Sequence, residues 1–340
     1  MSQYPDFFSN SYNKKLFKKT TGGSTGEPFT YYTTSELQSY LWAGIILSWE
    51  VAGYKLGEKV AFFAGSSLIK QGIKHKLFYK LLNADLLYAS PLNDEVMQAY
   101  AKQIQKNKTT IIYGYSHAIN AVADYLLRHP QGGFPHLKAV VCTAELLTDV
   151  ARQNMEKAFA VKVFNQYGCN EAGISAYECE HSNMHIINTR AAYEIDDNGS
   201  LISTDLSNKG FIMMKYDITD IIEFSDKKCD CNRGFPVISK MVGRLNDVVV
   251  DMENNVLHAS FFGIFFSKDD FIKQFQIIFD NTSIEVNIHS NKDENYFSEK
   301  YLPLLRKHSK FENYILTMNS PFVDASNSKH KEVVDNRKIA

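Results

Sequence analysis

Four short apolar runs, "KVAFFAG", "DLLYAS", "TTIIYGY" and "LKAVVCTA", recur between residues 59 and 144 with helix-like stretches between them. No other feature constrains the fold as much. Such runs are too short for buried helices and lack the alternation of a half-exposed strand, so each reads as a strand covered on both faces. Parallel strands need a crossover connection, usually a helix, so the pattern predicts a mostly parallel α/β sheet. Helices are expected from near Leu68, Asp94, Ser116 and Thr148. An earlier one carries Leu37, Leu41 and Ile45 on one face, widened by Trp42, Ile46 and Trp49.

After Tyr167 the texture changes to alternating strands and turns. "AAYEIDDNGSLIST" reads as a hairpin with Asp-Asn-Gly at its tip, and "GFIMMKYDITDIIEF" continues the β-rich section. Beyond Arg244 a third texture begins: a hairpin in "VVVDMENNVLHA", strands in "FIKQFQIIF", "SIEVNIHS" and "YILTMNS", and a helix in "NYFSEKYLPLLRKH". The polar tail "VDASNSKHKEVVDNRKIA" looks linker-like. The 340 residues are enough for a large domain over 1–243, with a β-rich part at about 167–240, and a small α+β domain over 244–340.

Composition narrows the class. At 44% hydrophobic and 22% charged, the chain matches an ordinary globular protein, and a net charge of −1 gives no reason to expect nucleic acid. The longest apolar run, "LWAGIILSWEVAG", is too short for a membrane span and carries Glu50. "MSQYPDFFSN" has no basic region followed by an apolar core, so no secretory leader is expected and the cytoplasm is the expected compartment.

The stretch "KKTTGGSTGEPFTYYTT" gathers three glycines and several hydroxyls. Successive glycines let backbone N–H groups turn inward around an anion, and Thr21, Ser24 and Thr25 can add hydroxyl donors. A P-loop needs Gly-Lys followed by Ser or Thr, whereas Gly26 precedes Glu27 and Pro28. The glycines at 22, 23 and 26 also miss the dinucleotide-binding spacing. Taken alone, the loop is equally readable as a solvated turn.

Later segments bear on the choice. "TGGSTGEP" resembles the phosphate loop of adenylate-forming enzymes. "YGCNE" resembles their Tyr-Gly-x-Thr-Glu motif with Asn170 in the threonine's place. "YDITD" is similar to Tyr-x-Thr-Gly-Asp with threonine for glycine, and "GRLNDVV" to the Gly-Arg-x-x-Asp hinge. Within that superfamily the likeness is to phenylacetate–CoA ligases and CapK-type capsule-biosynthesis relatives, through "CTAELL" beside the adenine and the substrate-side loop "YGYSHAI". These relatives carry a helical segment upstream of the glycine loop, where only about twenty residues stand here.

The resemblance implies an ATP-dependent ligase that makes an acyl-adenylate from a small carboxylic acid, releases pyrophosphate, and passes the acyl group to CoA or to an amine or sugar acceptor. It also allows a homodimer. Thr21, Gly22, Gly23, Ser24, Thr25 and Gly26 would cradle phosphates, and Ala144, Glu145, Tyr167, Gly168 and Asn170 would line the nucleotide. Glu171 would hold Mg²⁺, Asp220 the ribose hydroxyls, and Arg244 ribose or phosphate oxygens. Asp247 would be the hinge. "SNSKHKEVVD" would supply the mobile catalytic lysine as Lys329, with Ser328 for the usual glycine and Lys331 as a competitor. A nucleotide-binding homologue without catalysis and an acyl-protein synthetase are the alternative readings.

Four of the five cysteines, Cys169, Cys179, Cys229 and Cys231, fall in a narrow window. "CDC" with "CEHSNMH" upstream suggests a closed structural Zn²⁺ site of Cys179, His185, Cys229 and Cys231, with His181 as the rival nitrogen ligand. Some phenylacetate–CoA ligase relatives look the same. Cys169, with no companion base evident, reads as a packing residue.

Overall fold

In the computed structural model the apolar runs form strands buried from both sides. The structure describes residues 5–20, 29–65, 73–89, 92–145, 147–244, 248–253, 255–258, 262, 266, 269, 271–323 and 333–338. An antiparallel pair, β1 (Phe17–Thr20) and β2 (Thr30–Thr33), precedes helix α1 (Ser35–Val51). Then come β3 (Val60–Ala64), α2 (Ile73–Leu81), β4 (Ala84–Tyr88), α3 (Asp94–Lys106), β5 (Ile111–Tyr115), α4 (Ser116–Arg128), β6 (Ala139–Thr143), α5 (Asp149–Phe159) and β7 (Lys162–Cys169). β3 pairs in parallel with β4 and β5, β5 with β6, and β6 with β7.

Alternate residues of these strands feed two cores. Val60, Phe62, Ile111, Tyr113, Ala139 and Val141 pack with Trp49 of α1 and Tyr79 of α2. Ala61, Phe63, Ile112, Val140 and Cys142 pack with α3, α4 and α5. Both faces are covered, which is why the runs read as continuous rather than alternating. Phe63 is fully buried, and truncating such a side chain to alanine costs about 3–5 kcal/mol. α1, α3 and α5 start at capped residues: the side chains of Thr34, Asn93 and Thr148 accept the N–H groups of Leu37, Val96 and Ala151.

The sheet does not stop at β7. β8 (Ile174–Glu178) and β9 (Met184–Ile186) extend it antiparallel, followed in chain order by β10 (Ala191–Ile195), β11 (Ser200–Asp205), β12 (Tyr216–Phe224) and β13 (Val237–Arg244). The eleven described strands run in the order β10-β11-β12-β13-β9-β8-β7-β6-β5-β3-β4. Turn chemistry fixes the β10–β11 hairpin: Gly199 takes φ +82°, and Asp196 Oδ1 accepts the Ser200 N–H at 2.7 Å.

The remaining chain builds a smaller α+β unit. β14 (Val248–Val250) and β15 (Val256–His258) form the expected hairpin. β16 (Ile272–Phe279) and β17 (Ser283–Ser290) are antiparallel. Helix α6 (Glu294–His308) then crosses back to β18 (Asn313–Met318), parallel to β17. Phe297, Tyr301 and Leu305 of α6 bury against Ile277, Ile284 and Val286.

One expectation needs correction. Part of the supposed linker is structural: β19 (Val333–Asp335) pairs in parallel with β16, and Val333 and Val334 are buried. Three residues between charged neighbours carry no detectable period. In the β-rich section after Gly210 the strand runs from Tyr216, while Phe211 and Met213 bury against Tyr31. The helix expected near Leu68 is described from Ile73, with 66–72 outside the described residues.

Candidate functional site

The carboxyl ends of the parallel strands gather one group of side chains, on the edge where open α/β sheets bind ligands. Ala89 follows β4, His117 lies in the first turn of α4 directly after β5, and Ala144 and Glu145 follow β6. His117 Nδ1 is 2.8 Å from both carboxylate oxygens of Glu145, and its Nε2 is 3.3 Å from the Ala89 carbonyl. A carboxylate and a carbonyl both accept, so this geometry favours the imidazolium form of the ring. Burial pulls its pKa down, but the hydrogen bond and charge of Glu145 outweigh it and the net shift is upward. Ala144 sits at φ +69°, turning the chain sharply at the strand end.

A second group forms around the end of β7. The Tyr167 hydroxyl donates to the Asp220 carboxylate, joining two motifs 53 residues apart. Burial, followed by the charge of Glu171, drives the Cys169 thiol well above its ordinary value, with Asp220 adding to it. Cys169 is therefore a neutral, inward-packed thiol. The same Glu171 charge, after burial, raises the Tyr31 phenol. Glu171, Cys169, Tyr167 and Asp220 thus share one locality with Tyr31. Thr219, in the glycine's place of the likened motif, adopts φ +64°. The backbone keeps the glycine conformation although the side chain has changed.

The glycine loop's two stems reach this locality. β1 and β2 pair from Phe17↔Thr33 to Thr20↔Thr30, so residues 20 and 30 are held together across the loop. Just past it, the Phe29 ring stacks on Tyr216 of the Asp220 strand, with centroids 5.9 Å apart. Thr21, Gly22, Gly23, Ser24, Thr25, Gly26, Asp247, Ser328, Lys329 and Lys331 lie outside the described residues. Arg244 is placed through its backbone, which pairs with Asp220 across β12 and β13. Gly168 pairs with Ser175 in the β7–β8 ladder, and Asn170 is exposed on the following turn.

The cysteine cluster assembles at the other end of β8. One donor atom from each of Cys179, His185, Cys229 and Cys231 lies within 4.8 Å of the others. Cys179 Sγ and Cys229 Sγ are 3.7 Å apart, and Cys231 Sγ is 3.3 Å from His185 Nε2. A disulfide needs sulfurs at about 2.05 Å, whereas Zn–S bonds of ~2.3 Å put tetrahedral sulfurs ~3.8 Å apart. His185 Nδ1 donates to the Phe235 carbonyl at 3.1 Å, which leaves Nε2 as the lone pair facing the thiols. His181 meets the cluster through its backbone N–H, at 3.4 Å from Cys179 Sγ. Burial opposes ionisation of Cys229, but the hydrogen bond from the Cys231 backbone leads the causes that pull it down to about 6, while burial pushes Cys179 up to about 11.

His117 lay inside a stretch marked as substrate-side, but its pairing with Glu145 was not legible, since the two meet only through the β5–β6 register. Tyr31 carried no signal beyond an ordinary β residue.

No family model matches the chain. It is 27% identical over 299 residues to protein CapK of Staphylococcus aureus, covering 84% of this chain and 66% of CapK. The chain therefore spans slightly less than two thirds of that relative's length. Among solved structures, it resembles 2-hydroxyisobutyryl-CoA ligase in the postadenylation state in complex with 2-HIB-AMP, with TM-score 0.72 and 15% identity over 95% of this chain and 74% of that one. It also resembles the anthranilate CoA ligase AuaEII in complex with anthranoyl-AMP, with TM-score 0.60 and 13% identity over 92% and 65%. The amide bond synthetase McbA from Marinactinospora thermotolerans gives TM-score 0.62 and 12% identity over 93% and 68%. In its mixed eleven-stranded sheet and its smaller C-terminal α+β unit the chain shares the fold of these solved ligases, and in sequence it is similar to CapK.

Proposed function

We propose that this chain activates a carboxylic acid with ATP, forming an acyl-adenylate and releasing pyrophosphate, and then transfers the acyl group. The meeting of Tyr167, Glu171 and Asp220 beside the stems of the glycine loop carries this reading. Attack on the α-phosphate builds charge on phosphate oxygens, and donors aimed there supply most of the rate. Thr21, Gly23, Ser24, Thr25 and Gly26 would present those donors. Asp220, oriented by Tyr167, would accept from the ribose hydroxyls. Ala144 and Glu145 stand at the strand end where the adenine would lie. Glu171 is the residue to hold Mg²⁺, which when bound neutralises phosphate charge.

The acceptor is CoA or an amine on a sugar or amino acid. The fold supports either class, since its solved neighbours include CoA ligases and an amide bond synthetase. The CapK likeness favours an acceptor in surface polysaccharide synthesis. The donor set and spacing at Cys179, His185, Cys229 and Cys231 fit a structural Zn²⁺.

The test is ATP–pyrophosphate exchange across aromatic, fatty, hydroxy and amino acids. Exchange is expected with at least one acid and is expected to vanish in Glu171→Ala. Silence across the panel in protein that still binds ATP would favour the non-catalytic reading.

A further inference from the structure

Glu171 stands on the turn between β7 and β8, and the side chains that hold this turn come from an unrelated part of the chain. The Arg190 guanidinium donates to the Asn170 carbonyl at 3.4 Å. Ser203 Oγ donates to the Ala172 carbonyl at 2.6 Å. Gly173 takes φ +73°, and a Cβ there would meet Asp205 Cγ at 2.9 Å, so the turn closes directly on Asp205. Residues 170, 172 and 173 are thus each gripped from β11 or from the residue before β10.

Arg190 and Asp205 make a poor stabilising pair. Both are buried, at 4% and 7% exposure, yet Nη2 and Oδ2 are 3.5 Å apart. Arg190 Nε and Nη1 and Asp205 Oδ2 have no hydrogen-bond partner among the described residues. Desolvating two charges with donors left unmatched costs more than a long contact returns, and apolar replacements of such pairs are often neutral or stabilising. Fold stability alone does not account for them. Among the described residues, the one hydrogen bond that the Arg190 guanidinium makes goes to the backbone next to Glu171.

We infer that Arg190 and Asp205, with Ser203, are positioning residues that fix the 170–173 turn so that the Glu171 carboxylate meets a divalent cation on the ATP phosphates. This rests on the reading of Glu171 given above. A carboxylate ligand depends on what holds it, and losing such outer support commonly lowers metal affinity about 10–100-fold.

The test measures the affinity of a fluorescent ATP analogue with excess Mg²⁺ and in magnesium-free buffer without chelator. The ratio of the two affinities gives the contribution of the metal. Glu171→Gln should abolish that contribution. Arg190→Met combined with Asp205→Asn removes both charges while an amide still accepts the Ser207 N–H, which Asp205 Oδ1 takes at 2.8 Å. This double variant should keep its urea midpoint and its metal-free affinity and lose about tenfold in the metal contribution. Ser203→Ala should lose less, in the same direction, and decides the matter alone if the double variant does not fold. A folded variant with the wild-type ratio, where Glu171→Gln has abolished it, overturns the inference and leaves the site reading intact. No metal contribution in the wild type, or none lost in Glu171→Gln, removes both.

Discussion

Thr219 holds a conformation that β-branched residues seldom take, at a cost of roughly 1–2 kcal/mol. Asp217 Oδ1 fixes it by accepting the Thr219 N–H at 2.8 Å, and the strained residue directly precedes Asp220. Thr219→Gly removes the strain but frees the unfolded chain, so a net gain of about 0.5–1 kcal/mol is expected, read as a higher urea midpoint. An unchanged midpoint would mean that threonine's side chain compensates in the folded state. His117 offers a titration. Its folded pKa is raised above the unfolded value of about 6.5, so the stability it contributes is fully present below that value and fades as pH climbs through the folded pKa. The side chain is 36% exposed, so solvent screening keeps this increment small. Glu145→Gln is expected to lower the His117 midpoint in an NMR titration; a midpoint that stays put would break the imidazolium assignment. Only one of these features had a trace in the sequence. The threonine was visible as a departure from a glycine motif, whereas the ion pair depends on strand register, which no local pattern encodes.

At the scale of elements, legibility followed burial. β3, β5 and β6 were readable because both faces are covered, and the β10–β11 hairpin because its tip needs Asn-Gly chemistry. β19 was not, because three residues held by a neighbouring strand carry no period. The grouping of Cys179, His185, Cys229 and Cys231 was readable from the Cys-x-Cys pair and the Cys…His stretch upstream of it, which the fold brings together. Its four side chains come from the end of β8, from β9 and from the 229–231 segment, and β9 has only three residues of its own. Metal closure should therefore matter most there. Purified protein is expected to carry about one zinc per chain by elemental analysis. Cys229→Ser should lower the thermal midpoint and speed hydrogen exchange of the Met184–Ile186 amides ahead of the parallel strands. Metal-free protein of equal stability would refute the site.

The whole molecule poses the question of how the C-terminal unit would serve the proposed nucleotide site. Lys329 falls in the segment 324–332, whose two ends are tied to adjacent residues of one strand. Val323 exchanges two hydrogen bonds with the buried Gln276 side chain, at 2.8 and 3.0 Å, and Val333 pairs with Ile277. Both tethers sit on β16, in the core that Phe297 and Tyr301 of α6 seal, so Val323 and Val333 both belong to this unit. The motif order made the convergence of distant segments legible, but this tether was hidden in a tail that reads as solvated charge. A lysine carried by a separate unit can be brought to the phosphates for the chemical step alone, without helping ATP to bind. Lys329→Ala is therefore expected to slow adenylation about 10²–10³-fold while ATP affinity stays near wild type. Lys331→Ala should leave the rate largely intact. If the two variants exchange roles, Lys331 is the catalytic cation; if both lose ATP affinity in step with rate, the segment binds nucleotide in the ground state.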